Sequence, residues 1–347
     1  MPAKPGLERV LLLLSGEHPS LPYSETCAIL ESERIEHVVV SKHDQIFIID
    51  MEQNGKKLLE ERSAYVMEGG RFLFRAEPSL ATLGEACRDY DWSFLGGRSF
   101  GAKANRVRNY WRNVDTQGVQ EAIGYAITES TDSNVNLTKP DVWIRGITTD
   151  AGIFIYARDI ETDRHAFTKR RPKSRPYFHP GVLEPKLSRA FVNMSGAKRG
   201  EFFVDPFCGT GGFLIEAAMM GMKACGMDLD PRMVKGAEKN LKHYNLESDL
   251  VHGDAKNLPM SSVDGMATDP PYGRGTTTMG INVREVLFGF LKGACDALRK
   301  DGRLCTAAPI ELNPSQLARD AGLKVVEEHR MRVHKSLTRS IIVVKRD

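Results

Sequence analysis

The stretch Val263-Asp264-Gly265-Met266-Ala267-Thr268-Asp269-Pro270-Pro271-Tyr272 decides how the rest of the chain is read. Its apolar first part reads as a short strand. Proline cannot donate to a β-ladder or continue a helix, so the strand must stop at Pro270. A carboxylate, a prolyl carbonyl and an aromatic ring are thereby held together at a strand's carboxyl end, where open α/β sheets bind ligands. The trio suits the exocyclic amine of a nucleobase, whose lone pair is delocalised into the ring. Two acceptors on its N–H groups would turn that lone pair toward an electrophile, and the carboxylate would oppose the positive charge growing on nitrogen. Tyr272 offers a flat face for an extruded base. Taken alone, the tetrapeptide also fits a strand followed by a Pro-rich turn.

The surrounding pattern removes that ambiguity. Phe202–Asp205, Lys223–Asp228, Asp249–His252, Val263–Thr268 and Arg303–Ala308 read as strands. Gly212–Met220, Arg232–Tyr244, Arg284–Arg299 and Pro314–Ala321 read as helices between them. Such alternation means βαβ units and a parallel sheet. Two more strands, Lys324–Val333 and Ser340–Lys345, close the chain. A terminal β-hairpin on a doubly wound sheet is the arrangement of methyltransferases that use S-adenosylmethionine (AdoMet).

The strand ending at Val204 runs into Asp205-Pro206-Phe207-Cys208-Gly209-Thr210-Gly211-Gly212-Phe213. Glycines let the backbone approach a ligand at a strand-to-helix turn. A dinucleotide fingerprint needs glycine at its sixth place; counted from Gly209, that place is Leu214. An acid ahead of the glycines would also repel a pyrophosphate, whereas it suits the ammonium end of AdoMet. Asp228 closes the second strand and can accept both ribose hydroxyls, or cap the helix that Asp230-Pro231 opens. Gly253-Asp254-Ala255 ends the third strand, with a carboxylate placed for the adenine amine.

Ahead of this part, residues 1–58 read as a small α+β unit: strands Val10–Leu14, Ile35–Val40 and Gln45–Asp50, a helix Tyr23–Glu31, and a turn at Asn54-Gly55. Residues 59–160 read as a second unit. Ala64–Met67 and Arg71–Arg75 flank Glu68-Gly69-Gly70 as a hairpin, Leu80–Tyr90 and Gln117–Ser130 read as helices, and Val142–Thr148 with Gly152–Arg158 read as a second hairpin. Lys103, Arg106, Arg108 and Arg112 alternate with Tyr110 and Trp111 and no acid. Such a stretch suits phosphates and stacked bases, or a solvated strand surface. Residues 161–178 read as an extended basic linker, holding Arg164, Lys169, Arg170, Arg171, Lys173 and Arg175. Residues 179–347 form the last unit, and the fragment from 177 onward carries enough elements to be expected to fold alone.

Composition sets the outer bounds. The chain has 347 residues, 41% hydrophobic and 27% charged, with a net charge of +3. That is ordinary for a globular protein of two or three domains. The total charge does not announce a nucleic-acid binder, so the clusters above carry that reading. Six cysteines without a C-x-x-C pair argue against a zinc site or disulfide framework and fit a reducing compartment. Val10–Leu14 is too short to span a bilayer. A cytoplasmic protein, without metal or membrane contact, is expected.

With these residues in view, the chain resembles the archaeal Trm11 family of tRNA (guanosine-10 N2)-methyltransferases over essentially its whole length. The most specific parts are Asp205–Gly212, Asp269–Gly273, His179-Pro180-Gly181, Pro185-Lys186-Leu187-Ser188-Arg189 and Lys335-Ser336-Leu337-Thr338-Arg339. The resemblance implies an α/β Rossmann-fold methyltransferase domain with a seven-stranded, mostly parallel sheet. It also implies a preceding ferredoxin-like domain and a THUMP domain that recognises tRNA. Asp205, Pro206, Phe207, Gly209, Gly211, Asp228, Leu229, Asp254 and Ala255 would hold AdoMet, with His179 and Pro180 closing over its methionine end. Asp269, Pro270, Pro271 and Tyr272 would hold the flipped guanine. Lys103, Arg106, Arg108, Arg112, Lys169, Arg170 and Arg171 would face tRNA, and a chain with its own binding module would act as a monomer. Guanosine-6 methylation of tRNA and adenine-N6 methylation of DNA are the alternatives. Tyr272 followed by Gly273 favours guanosine 10, and no DNA-reading motif is visible.

Overall fold

Two seven-stranded sheets organise the chain in this computed structural model, which describes residues 3–271, 283–334 and 337–347. In chain order the first elements are β1 (Glu8–Leu14), α1 (Leu21–Ser32), β2 (His37–His43), β3 (Ile46–Met51), α2 (Asn54–Arg62) and β4 (Val66–Ala76). Next come α3 (Leu80–Asp89), β5 (Phe100–Arg106), α4 (Thr116–Ser130), β6 (Val142–Thr149), β7 (Gly152–Glu161) and α5 (His165–Lys169). The remainder holds α6 (Pro185–Met194), β8 (Phe202–Asp205), α7 (Gly212–Met219), β9 (Lys223–Asp228), α8 (Pro231–His243), β10 (Asp249–His252) and β11 (Val263–Thr268). It ends with α9 (Val283–Ala297), β12 (Leu298–Pro309), α10 (Pro314–Asp320), β13 (Lys324–His334) and β14 (Leu337–Lys345).

The chain divides into two compact units. One comprises residues 1–19, 35–60 and 66–162; the other comprises 20–34, 61–65 and 163–347. The first unit is built on the sheet β2-β3-β1-β4-β7-β6-β5. Its pairs are antiparallel except β5 with β6. One face is buried under α3 and α4, where Leu83, Cys87, Val119, Ile123 and Ile127 meet Phe100, Ile144 and Ile155. The apolar spacing of α4 and its Asp115 cap, which accepts from the Gly118 N–H at 3.0 Å, explain why that helix starts where it does.

Two local expectations fail in this half. Asn54-Gly55 opens α2 rather than a turn. Glu68-Gly69-Gly70 is no hairpin tip but the middle of β4, which runs unbroken between β1 and β7. The glycines serve close approach: a Cβ on Gly69 would meet the Leu11 carbonyl oxygen at 2.7 Å, and one on Gly70 the Ala157 carbonyl oxygen at 2.0 Å. The expected boundary at residues 58–59 therefore falls within one continuous sheet, and α1 belongs with the second unit.

The second unit is the doubly wound sheet β10-β9-β8-β11-β12-β14-β13. Its first five strands are parallel and the last two form the antiparallel hairpin. Chain order reverses between β8 and β11, which defines the crevice for ligands. The basic segment expected to be extended instead forms α5 and a 3-10 turn at Pro172–Ser174. The cause is burial. Arg170 donates to both oxygens of Glu216, at 2.8 and 3.0 Å, and Arg189 donates to the same carboxylate at 2.8 Å. Among the described residues no helix is long and apolar enough to cross a membrane.

Candidate active site

Asp205 ends β8 and Asp269 follows β11, so the two carboxylates flank the crevice from its two adjacent strands. Thr268 ties the strand ends together by donating its hydroxyl to Asp205 Oδ1 at 2.7 Å. The Phe207 N–H donates to the same oxygen at 3.2 Å. Oδ2 of Asp205 is buried without a partner. An orphaned carboxylate oxygen is costly unless a ligand satisfies it, and an ammonium group does so directly. Burial pushes the Asp205 carboxyl up to about 8; the Thr268 and Phe207 bonds oppose this, while the charges of Asp228 and Asp269 add to it.

The glycine-rich turn is fixed from the next strand. Asp228 Oδ2 accepts the Gly209 N–H at 2.8 Å and Oδ1 accepts the Asp230 N–H at 2.9 Å. Helix capping falls to Asp230, which accepts from the Arg232 N–H at 2.8 Å. Asp228 is thus not the cap, and each of its oxygens keeps a further lone pair for a hydroxyl. Burial raises its carboxyl above the ordinary range, against the two N–H bonds and the nearby His179. Gly209 and Gly211 both have positive φ, at 50° and 83°, which only glycine adopts without strain. Asp254, two residues past the end of β10, is half-buried and accepts the Lys256 N–H at 3.0 Å. Ala255 is buried, Leu229 is exposed, Pro206 is buried, and Phe207 packs edge-on against Phe290 at 5.2 Å.

The segment from Arg175 to Val182 is fastened to this turn. Asn240 on α8 accepts from the Tyr177 N–H at 2.9 Å and donates to the carbonyls of Tyr177 and Thr210, each at 2.9 Å. Gly236 makes room for the Tyr177 ring, since a Cβ there would stand 2.3 Å from it. His179 and Pro180 are exposed, with His179 close enough to Asp228 and Asp230 to favour their charged forms.

Asp269 has a partner that sequence reading missed. Arg339 donates Nη1 to Asp269 Oδ2 at 3.0 Å, and both side chains are mostly buried. Arg339 lies on β14, separated from β11 by β12 alone, and the antiparallel run of β14 brings its start to the carboxyl edge of the parallel strands. Pro270 is buried and Pro271 exposed. Tyr272, together with Gly273, Lys335 and Ser336, lies outside the described residues.

The basic residues separate by environment. In the first unit Lys103 sits 4.2 Å over the Trp143 ring, and Arg112 is exposed. Arg108 is exposed yet paired with Asp44 at 2.7 Å. Arg106 is half-buried and donates to the Val114 carbonyl. In the second unit Lys169 and Arg171 are exposed. Arg170 is not available to RNA, being 7% exposed and locked to Glu216.

Comparison with known proteins gives the same architecture. Residues 172–341 match the family described as RMKL-like, methyltransferase domain, and residues 77–157 match the THUMP domain. A tRNA (guanine(10)-N2)-dimethyltransferase of Methanothermobacter thermautotrophicus is 37% identical over 97% of this chain and 99% of its own. The protein of that name from Methanocaldococcus jannaschii is 32% identical over 96% and 99%. The crystal structure of TrmN from Thermus thermophilus shares the fold, with a TM-score of 0.55 at 22% identity over 98% of this chain and 100% of that one.

Proposed function

Because the chain belongs to the family of tRNA (guanine(10)-N2)-dimethyltransferases, we propose that it transfers methyl groups from AdoMet to the exocyclic N2 of guanosine 10 in tRNA. The observation that carries the reading is the pair Asp205 and Asp269 at the ends of adjacent strands, joined through Thr268. AdoMet, when bound, supplies an electrophilic methyl group on a sulfonium. Asp205 Oδ2 takes its ammonium, Asp228 its ribose hydroxyls and Asp254 its adenine amine. The glycine turn lets the backbone come close.

Asp269 and the Pro270 carbonyl accept the two N–H groups of guanine N2 and hold the lone pair in line. As the carbon–nitrogen bond forms and the methyl's bond to sulfur breaks, leaving a neutral thioether, the Asp269 carboxylate would oppose the charge growing on nitrogen. The cationic nitrogen is far more acidic than a carboxylic acid, so its proton passes to Asp269 even with Arg339 alongside. Tyr272 stacks the flipped base. Repetition on the singly methylated amine gives the dimethyl product. Lys103, Arg108, Arg112, Lys169 and Arg171 meet tRNA phosphates. The same reading includes a THUMP module within the N-terminal part and a monomer working in the cytoplasm.

Nucleoside mass spectrometry after incubation with AdoMet and unmodified tRNA tests this. Mono- and dimethylguanosine mapped to position 10 are expected. Methylation at guanosine 6 instead, or of adenine in DNA, would overturn it.

A further inference from the structure

We propose that Arg175 and Ser188 bind the α-carboxylate at the methionine end of AdoMet, at the N-terminus of α7. Arg175 is 5% exposed and Ser188 1%. Neither terminal guanidinium nitrogen of Arg175 has a hydrogen-bond partner, nor does the Ser188 hydroxyl. Both converge on Gly212, the first residue of α7: a Cβ there would lie 3.5 Å from Arg175 Nη1 and 3.8 Å from Ser188 Oγ. Arg175 Nε is spent on the Arg170 carbonyl at 3.1 Å, which aims the far end of the fork.

The charges make the case. A helix N-terminus presents unsatisfied N–H groups and a partial positive charge. A buried guanidinium beside it faces like sign, which is costly unless an anion sits between them. Burial holds the Arg175 guanidinium below its ordinary range, although Tyr244 and Glu216 stand near enough to favour its charged form. The Glu216 carboxylate, however, is already bonded to Arg170 and Arg189. No side chain caps α7, whose N-cap is Gly211. The missing anion belongs to a ligand of the same turn that Asp205 begins. An α-amino acid end carries both signs: the ammonium goes to Asp205, the carboxylate to Arg175 and Ser188. Planar carboxylates suit the guanidinium fork.

The inference rests on AdoMet being the cofactor, and calorimetry on the full chain separates the two. The unaltered protein should bind decarboxylated AdoMet at least about tenfold more weakly than AdoMet. Arg175→Met should weaken AdoMet on the order of thirtyfold, as loss of a charged hydrogen bond does, yet change decarboxylated AdoMet less than about twofold. Ser188→Ala should show the same selectivity at about threefold, and Arg175→Lys should recover part of the loss. Equal losses for both ligands, or equal affinities of the unaltered protein for both, would overturn the assignment. If Arg175→Met does not fold, the unaltered protein and Ser188→Ala decide. Failure of the unaltered chain to bind AdoMet at all would instead sink the cofactor reading.

Discussion

On the proposed reading Asp269 faces substrate, whereas Asp205 and Asp228 face cofactor, and the two kinds of carboxylate should fail differently. Asp269→Asn keeps the shape but loses the charge, so turnover should fall on the order of a hundredfold or more while AdoMet affinity stays within about threefold. Near-normal turnover of this variant would refute the electrostatic role. Arg339→Ala should lower kcat about tenfold with little change in AdoMet affinity, and Arg339→Lys should restore part of it; a change in KM alone would place Arg339 on tRNA instead. Asp205 predicts a pH dependence. Its carboxyl is pushed up to about 8 in the folded protein, chiefly by burial, with Asp228 and Asp269 adding to the effect. A raised carboxyl stabilises the ligand-free fold fully below about pH 4, and that contribution is lost as pH climbs through about 8. Cofactor binding needs the charged form, so its affinity should rise about tenfold per unit between pH 6 and 8. Binding at pH 7 should release close to one proton, read as an enthalpy that depends on the buffer's heat of ionisation; a buffer-independent enthalpy would contradict it. Asp205, Asp228, Asp254 and Asp269 stood out in sequence because each sits at or just past a strand end. Arg339 and Arg170 did not, since their meaning lies in partners 70 and 46 residues away.

Elements of the catalytic sheet were read from sequence almost strand by strand, because buried parallel strands alternate with amphipathic helices and leave a strong periodic signal. The hairpin assigned to Ala64–Arg75 shows where that signal misleads. Glycine pairs between apolar runs usually mark turns; here they mark a central strand whose neighbours crowd it on both sides. Register shifts at this point, between Gly69 and Gly70 against β7, show the strand bending around the contact. Gly70→Ala should therefore be far worse than an ordinary strand substitution, because the clash is with the Ala157 backbone oxygen rather than a movable side chain. A loss of at least about 3 kcal/mol is expected by denaturant titration, near the upper end for single substitutions. A loss under about 1 kcal/mol would mean that the chain does turn here.

The whole molecule argues against the expectation that residues 177–347 fold alone. The catalytic core contains α1 and the segment 61–65, which sequence reading gave to N-terminal domains. Leu21, Ala28, Ala64 and Tyr65 are buried in one cluster with Phe191, Phe203 and Leu214. Glu25 is fully buried, accepting from the N–H groups of Ala64 and Tyr65 at 2.8 and 3.0 Å and from Asn193 Nδ2 at 2.8 Å. Arg62 donates to the Ala197 carbonyl at 2.8 Å. Cutting at 177 bares that apolar face, leaves Asn193 without Glu25, and takes Arg170 from Glu216. Each buried polar group left without its partner costs about 1–3 kcal/mol, a large part of a domain's stability. The fragment 177–347 should be insoluble or melt at least about 10 °C below the full chain. A chain nicked between Thr162 and Asp163 should behave in the opposite way, because its N-terminal piece still supplies α1 and residues 61–65. After cleavage at a protease site inserted there, the two pieces should co-elute in size exclusion and keep AdoMet affinity. Pieces that separate without denaturant, or a fragment 177–347 with native melting and affinity, would show that α1 is an appendage and that the sequence boundary was right.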